Sequence, residues 1–168
     1  MRRYGRVGFL RALLELRREG RTVPGLDDAI QRVVAATLAS GRRHGGDGLR
    51  YAWHGKEYVG AAHGYAGILY LLLKAGCRDP ALRALADWLR DLETREGNWP
   101  SSLPDARAKL VHFCHGAPGV VFASKVGLSK ILRTTSSKAC FTPMSLFADV
   151  SRKIMPFCRA HASAVSRA

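Results

Sequence analysis

Three times in 168 residues the chain sets Gly-x-x-Gly directly before an apolar run: GRVGFLRALLEL from Gly5, GYAGILYLLL from Gly64 and GAPGVVFASKV from Gly116. The starts lie 59 (Gly5 to Gly64) and 52 (Gly64 to Gly116) residues apart, and the two later copies carry a histidine, His63 and His115, before the first glycine. Self-similarity at such a period marks stacked helical units, each apolar on a face it cannot bury alone. Between copies there is room for one further helix, so each unit reads as a helical hairpin. Glycines in the turn let the backbone take positive φ and approach a neighbouring main chain where a Cβ would clash. They also leave the first helical amides facing outward, where an anion can bind. The repeat therefore predicts an all-α chain, a partial α/α toroid (barrel) built from helical hairpins with Gly-x-x-Gly turns.

The stretches between the copies agree. In DPALRALADWLRDLE, residues 79–93, Asp79 can cap the free amides and Pro80 sits where its missing N–H costs nothing. Leu82, Leu85, Ala86, Leu89 and Leu92 follow on one face at three- and four-residue steps. Residues 26–39 behave alike, with Leu26, Ile30, Val33, Val34 and Leu38 on a stripe and SGRRHGGDG closing the helix. No alternating strand pattern of any length stands out.

The repeat weakens towards the end. The third apolar run stalls at Ser124 and Lys125, and from Val121 onward 8 basic residues face one acidic residue. Residues 1–120 hold 19 basic and 12 acidic residues, so half of the net charge of +14 lies in the tail. We expect a regular domain over 1–120 and a divergent, basic, poorly ordered tail over 121–168. Such an excess of positive charge favours anionic partners. The rival reading is a basic, non-catalytic module that binds a membrane surface or nucleic acid, though no zinc knuckle, recognition-helix pattern or aromatic-basic interleaving points to the latter. Arg11 and Glu15 interrupt the only leader-like run, and no stretch reaches the roughly 18 apolar residues of a spanning helix. With Cys77, Cys114, Cys140 and Cys158 lacking any C-x-x-C pair, four free thiols are expected. The expectation is a cytoplasmic protein, peripheral to the plasma membrane if its charge is used there.

Three blocks carry a family resemblance: WHGKEYVGAAHGYAG (53–67), GNWPSS (97–102) and LVHFCHGAPGV (110–120). Together with YGRVGFLRALLEL at the start, they resemble the eukaryotic LanC-like proteins, relatives of the bacterial lanthionine cyclases. The likeness covers roughly residues 1–120. Members are longer and fold as an α/α toroid, so the chain resembles a portion only and reads as truncated. The resemblance implies zinc-dependent addition of glutathione, or of a cysteine thiol, to dehydroalanine or dehydrobutyrine in peptides. A free thiol with a pKa of about 8.5 is mostly protonated at neutral pH, and zinc coordination deprotonates it. The thiolate adds to the β-carbon, and the enolate left behind needs a proton at its α-carbon, a task suited to an imidazole.

Carried over by motif, His63 matches the family's acid/base histidine and Cys114 its first zinc ligand. The residue before that cysteine is usually Trp and here is Phe113. The family's other two ligands form a Cys-His pair in a later Cys-His-Gly block that this sequence lacks. Zn2+ is thus the family's cofactor with one recognised ligand here, and a catalytic zinc wants three. Cys140, Cys158 and His161 in the tail offer a compensating set by spacing alone. His115 is open to two readings, a structural histidine near the turn or a ligand; Lys56 and Glu57 either line the site mouth or form a solvated pair. Trp53, Trp88 and Trp99 read as core and interface anchors. Arg2, Arg3, Arg6, Arg11, Arg17 and Arg18 of the first helix are a solvated face, or contact a membrane or the carboxylates of glutathione. The chain by itself is expected to lack catalysis.

Overall fold

The computed structural model describes residues 5–43, 48–105 and 107–123. In chain order these form α1 (Gly5–Arg18), α2 (Leu26–Arg42), β1 (Glu57–Tyr58), α3 (Tyr65–Lys74), α4 (Ala81–Asp91) and β2 (Ser102–Leu103). Residues 117–123 are helical again. Helix α1 packs on α2 and α3 on α4, while α1 also lies against α3. The repeat thus resolves into two helical hairpins joined through their first helices, and all-α is the fold class. The tail from 124 onward, with Cys140, Cys158 and His161, lies outside the described residues.

The expected stripes form the core. Ile30, Val34 and Leu38 of α2 are buried, with Leu26 and Val33 packed partly against them. From α4, Leu82, Leu85, Ala86 and Leu89 turn inward, and Leu92 is partly covered. Asp79 does cap α4, its Oδ1 accepting the Ala81 N–H at 3.0 Å. Arg42, at the end of α2, reaches the same carboxylate and so ties one hairpin to the other. No helix among the described residues is long and apolar enough to cross a membrane.

Two expectations need correction. Helix α2 runs on through Ser40, Gly41 and Arg42 rather than ending at 39. Gly41 is buried within it because a Cβ there would meet the Tyr51 ring and hydroxyl at 2.6–2.7 Å, so this glycine admits a neighbour instead of stopping the helix. A short antiparallel ribbon also exists, with Glu57 opposite Leu103 and Tyr58 opposite Ser102. Two residues per strand leave no alternation for a sequence to display. The ribbon matters because it sets the segment leading to His63: Val59 N–H donates to Ser101 O at 3.2 Å just beyond it.

The tryptophans divide. Trp99 is a core anchor, its Nε1–H donating to Leu89 O at 2.7 Å. Trp88 is half-buried under the Arg50 guanidinium and edge-on to Tyr65. Trp53 is neither; it stands in the wall of a cleft.

Candidate functional site

Both later Gly-x-x-Gly turns obey one local rule. A Cβ on Gly64 would lie 2.3 Å from Tyr58 O, and one on Gly67 would lie 2.0 Å from Ala61 O. In the next copy, Gly116 meets Leu110 O at 2.2 Å and Gly119 meets Phe113 O at 2.0 Å. Every one of these glycines abuts the carbonyl six residues earlier, and Gly116 also takes φ +102, where side chains are strained. In the first copy the carbonyl six residues before Gly8 belongs to Arg2, outside the described residues, so the rule is stated for the two later copies.

The two turns also meet each other. A Cβ on Gly60 would fall 2.0 Å from Cys114 O and 3.0 Å from His115 Cα, and one on Gly119 would fall 2.8 Å from Ala61 Cβ. Main chain therefore lies on main chain, and this contact brings His63 and His115 together with ring centroids 6.1 Å apart. Tyr58 touches both imidazoles, at 6.3 Å from His63 and 6.1 Å from His115. The Trp53 ring stands 5.6 Å from His63. Trp53 is held there by a tight turn in which its N–H and C=O pair with those of Lys56 at 2.8 and 3.0 Å.

His63 is exposed to a cleft of about 330 Å³ whose walls include Trp53, Ala61, Ile68, Phe113 and, from α1, Arg11. A second hollow of about 280 Å³ shares Arg11, Ala61, Gly67, Leu71 and Phe113, so the two form one groove between α1, α3 and the 113–123 segment. His115 differs from His63. Its Nδ1 is buried with no hydrogen-bond partner among the described residues. Desolvation, with the neighbouring His63 and His112 adding to it, holds its pKa below the ordinary imidazole value. His115 is thereby kept neutral beside a second imidazole that opens to the cleft.

Cys114 is half-buried, a free thiol on the same turn. A catalytic zinc needs three protein donors and an open position. Among the described residues, no three side chains of His, Cys, Asp or Glu come close enough to hold a metal ion. Cys114 and the orphaned Nδ1 of His115 supply two donors at most, so the described residues by themselves do not fit a catalytic zinc.

Lys56 is exposed at its turn. Glu57 faces away from the cleft: its Oε2 accepts the Tyr65 hydroxyl at 2.7 Å and Arg50 at 3.2 Å. Tyr65 OH in turn accepts the Tyr51 N–H at 3.1 Å, fixing the helix that His63 precedes. Sequence reading passed over the residue that holds the other turn. Asn98 is buried and donates Nδ2–H bonds to Ala108 O (2.6 Å) and Leu110 O (3.2 Å), while its Oδ1 accepts the Ala117 N–H (2.8 Å). All three contacts clamp the loop that carries Cys114 and His115. Its place in GNWPSS was the one available signal.

Comparison with known proteins gives a consistent answer. The family model described as lanthionine synthetase C-like protein matches residues 3–140. Glutathione S-transferase LANCL1 of Danio rerio is 33% identical over 132 residues, covering 71% of this chain and 33% of that relative. LanC-like protein GCL1 of Arabidopsis thaliana is 41% identical over 128 residues, covering 70% of this chain and 29% of that relative. The chain spans about a third of the length of the curated relatives it matches.

Proposed function

The chain belongs to the lanthionine synthetase C-like family, and from that premise we propose that it carries the acid/base part of a thiol-addition site without the full metal-binding part. The ligand is glutathione or a similar peptide thiol, the class in the name of the Danio rerio relative. The acceptor is a peptide bearing dehydroalanine or dehydrobutyrine. In that reaction a sulfur–β-carbon bond forms, the carbon–carbon π bond breaks, and the α-carbon receives a proton. His63 is the group that exchanges this proton: it opens to the cleft, and an imidazole is suited to proton transfer near neutrality. His115, neutral and desolvated, packs beside it. Zinc binding and thiol activation need a donor beyond the two that the described residues offer, so this described portion binds the peptide thiol and does not turn it over unaided.

The observation that carries the reading is the pairing of His63 with His115 across two turns whose glycines admit no side chain. The test combines three measurements on the purified chain. Histidine resonances are followed on adding reduced glutathione, adduct formation on a dehydroalanine peptide is followed by mass spectrometry, and zinc per chain is measured beside Cys114→Ala. We expect the His63 resonance to shift, no adduct above the uncatalysed rate, and zinc well below one per chain. Adduct formation that Cys114→Ala abolishes would overturn the inactivity. Unmoved histidine signals would overturn the binding.

A further inference from the structure

Six arginines crowd the first helix and its approach, and the structure separates one from the rest. Arg17 pairs with Asp27 at 3.6 Å, and Arg18 with Glu15 at 2.5 Å. Arg2 and Arg3 lie outside the described residues, and Arg6 lines neither hollow. Arg11 alone among them lines both hollows. It makes no ion pair among the described residues, since the nearest carboxylate along the helix, Glu15, is taken by Arg18.

Its setting suits an anion. Among the described residues, Arg11 is the only permanently charged side chain lining the hollow that holds His63, while Glu15 and Lys74 stand in the adjoining one. The remaining wall is mostly apolar, so a charge pair formed there is screened less than one in open water. Val7 and Gly8 stand four and three residues before Arg11 on α1, the offsets that keep side chains on one face, and all three line this hollow. Gly8 lines the same hollow without a side chain, and a Cβ there would meet nothing within 4 Å. A guanidinium presents a planar fork that matches a carboxylate in two parallel hydrogen bonds.

We propose that Arg11 is the carboxylate-recognising residue of this cleft, binding a terminal carboxylate of the peptide thiol while the thiol end lies towards Trp53, His63 and Phe113. The assignment rests on the thiol-peptide reading above and adds a residue to it. It makes α1, and so the first hairpin, part of the ligand site rather than a support for it.

The experiment titrates the whole chain calorimetrically with three probes. These are reduced glutathione, its thiol-free analogue γ-glutamyl-alanyl-glycine, and glutathione diethyl ester, in which both carboxylates are capped. Each is measured on the native chain, Arg11→Gln and Arg11→Lys. Loss of one charge-assisted contact weakens binding by about tenfold. We expect that loss for glutathione and for the thiol-free analogue in Arg11→Gln, partial recovery in Arg11→Lys, and one unchanged affinity for the ester in all three proteins. Because Arg11 is exposed on its helix, the circular dichroism of the variants should match that of the native chain. Equal glutathione affinity in the native chain and Arg11→Gln overturns the role of Arg11 and leaves the thiol reading standing. Arg11-dependent binding of the thiol-free analogue, with no His63 response to glutathione, supports Arg11 and overturns the thiol reading. Absence of binding by every probe overturns both.

Discussion

Replacing Gly60 by alanine tests the contact on which the candidate site depends. The added Cβ would sit 2.0 Å from Cys114 O, 2.8 Å from Cys114 C and 3.0 Å from His115 Cα. Ordinary contact begins near 3.4 Å, so the two turns must part by about 1.4 Å along the line to that oxygen. All three obstructing atoms are main chain, and none can swing aside as a side-chain tip would. Overpacking a well-filled interior costs typically 1–3 kcal/mol, and a rigid neighbour puts this case at the upper end, about 3 kcal/mol. With a urea dependence of about 2 kcal/mol per molar, the unfolding midpoint should fall by about 1.5 M. Gly8→Ala is the matched control: its Cβ meets nothing within 4 Å and its backbone is helical, so it should stabilise by about 0.5–1 kcal/mol. Both variants would be unfolded in urea under circular dichroism. In Gly60→Ala, the His115 resonance should also lose its sensitivity to His63→Ala. A midpoint within about 0.3 M of the native chain would refute the reasoning, because the turns would then be free to separate at no cost.

Asn98→Ala should destabilise by about 3 kcal/mol, since it removes three hydrogen bonds worth about 1 kcal/mol each and leaves two loop carbonyls and an amide unsatisfied; thermal or urea unfolding measures it, and the His115 signal should move while that of Trp99 stays. The depressed pKa of His115 means that the unfolded chain takes up this proton first on acidification. Its contribution is therefore fully present above the ordinary imidazole value of 6.5 and is lost as pH falls through the lower folded value. A histidine titration by NMR should find His115 below that value, and His63→Ala should raise it part of the way. Tyr65 behaves oppositely: burial, reinforced by the Glu57 carboxylate, pushes its hydroxyl up to about 12, so its contribution holds below pH 10 and fades as pH rises towards about 12. Tyr65→Phe should cost about 1–2 kcal/mol at neutral pH by orphaning the Tyr51 N–H and one lone pair of Glu57; it should also shrink the tyrosinate absorbance that appears on alkaline unfolding.

The hairpins were legible because their information is local and periodic. Ile30, Val34 and Leu38 had to share a face whatever the rest of the chain did, and Pro80 after Asp79 announced α4. What the sequence displayed of the candidate site was its parts: two histidines before Gly-x-x-Gly, and a cysteine beside one of them. Their meeting was not on view, since it depends on Gly60 lying against Cys114, 54 residues on (114 − 60), through backbone atoms that carry no sequence signature. Asn98 was hidden for a related reason. Its partners are the carbonyls of Ala108 and Leu110 and the amide of Ala117, groups that any residue supplies. Gly41 misled because a glycine near an expected helix end reads as a stop, whereas here it makes room for Tyr51. Arg11 was visible only as one of six similar charges until the groove singled it out.

The joint between the two histidine turns has a mechanical consequence. Core side chains can hop rotamers and fill gaps when a neighbour changes, so distances set by them drift with temperature and substitution. The approach of the two turns that carry His63 and His115 is set instead by peptide planes in direct contact, which have no rotamers to change. The joint acts as a fixed gauge. Helices α2 and α4 can be rewritten residue by residue without altering the interval between the two turns, whereas inserting one residue between Gly60 and Gly64, or between Cys114 and Gly116, would reset it at once.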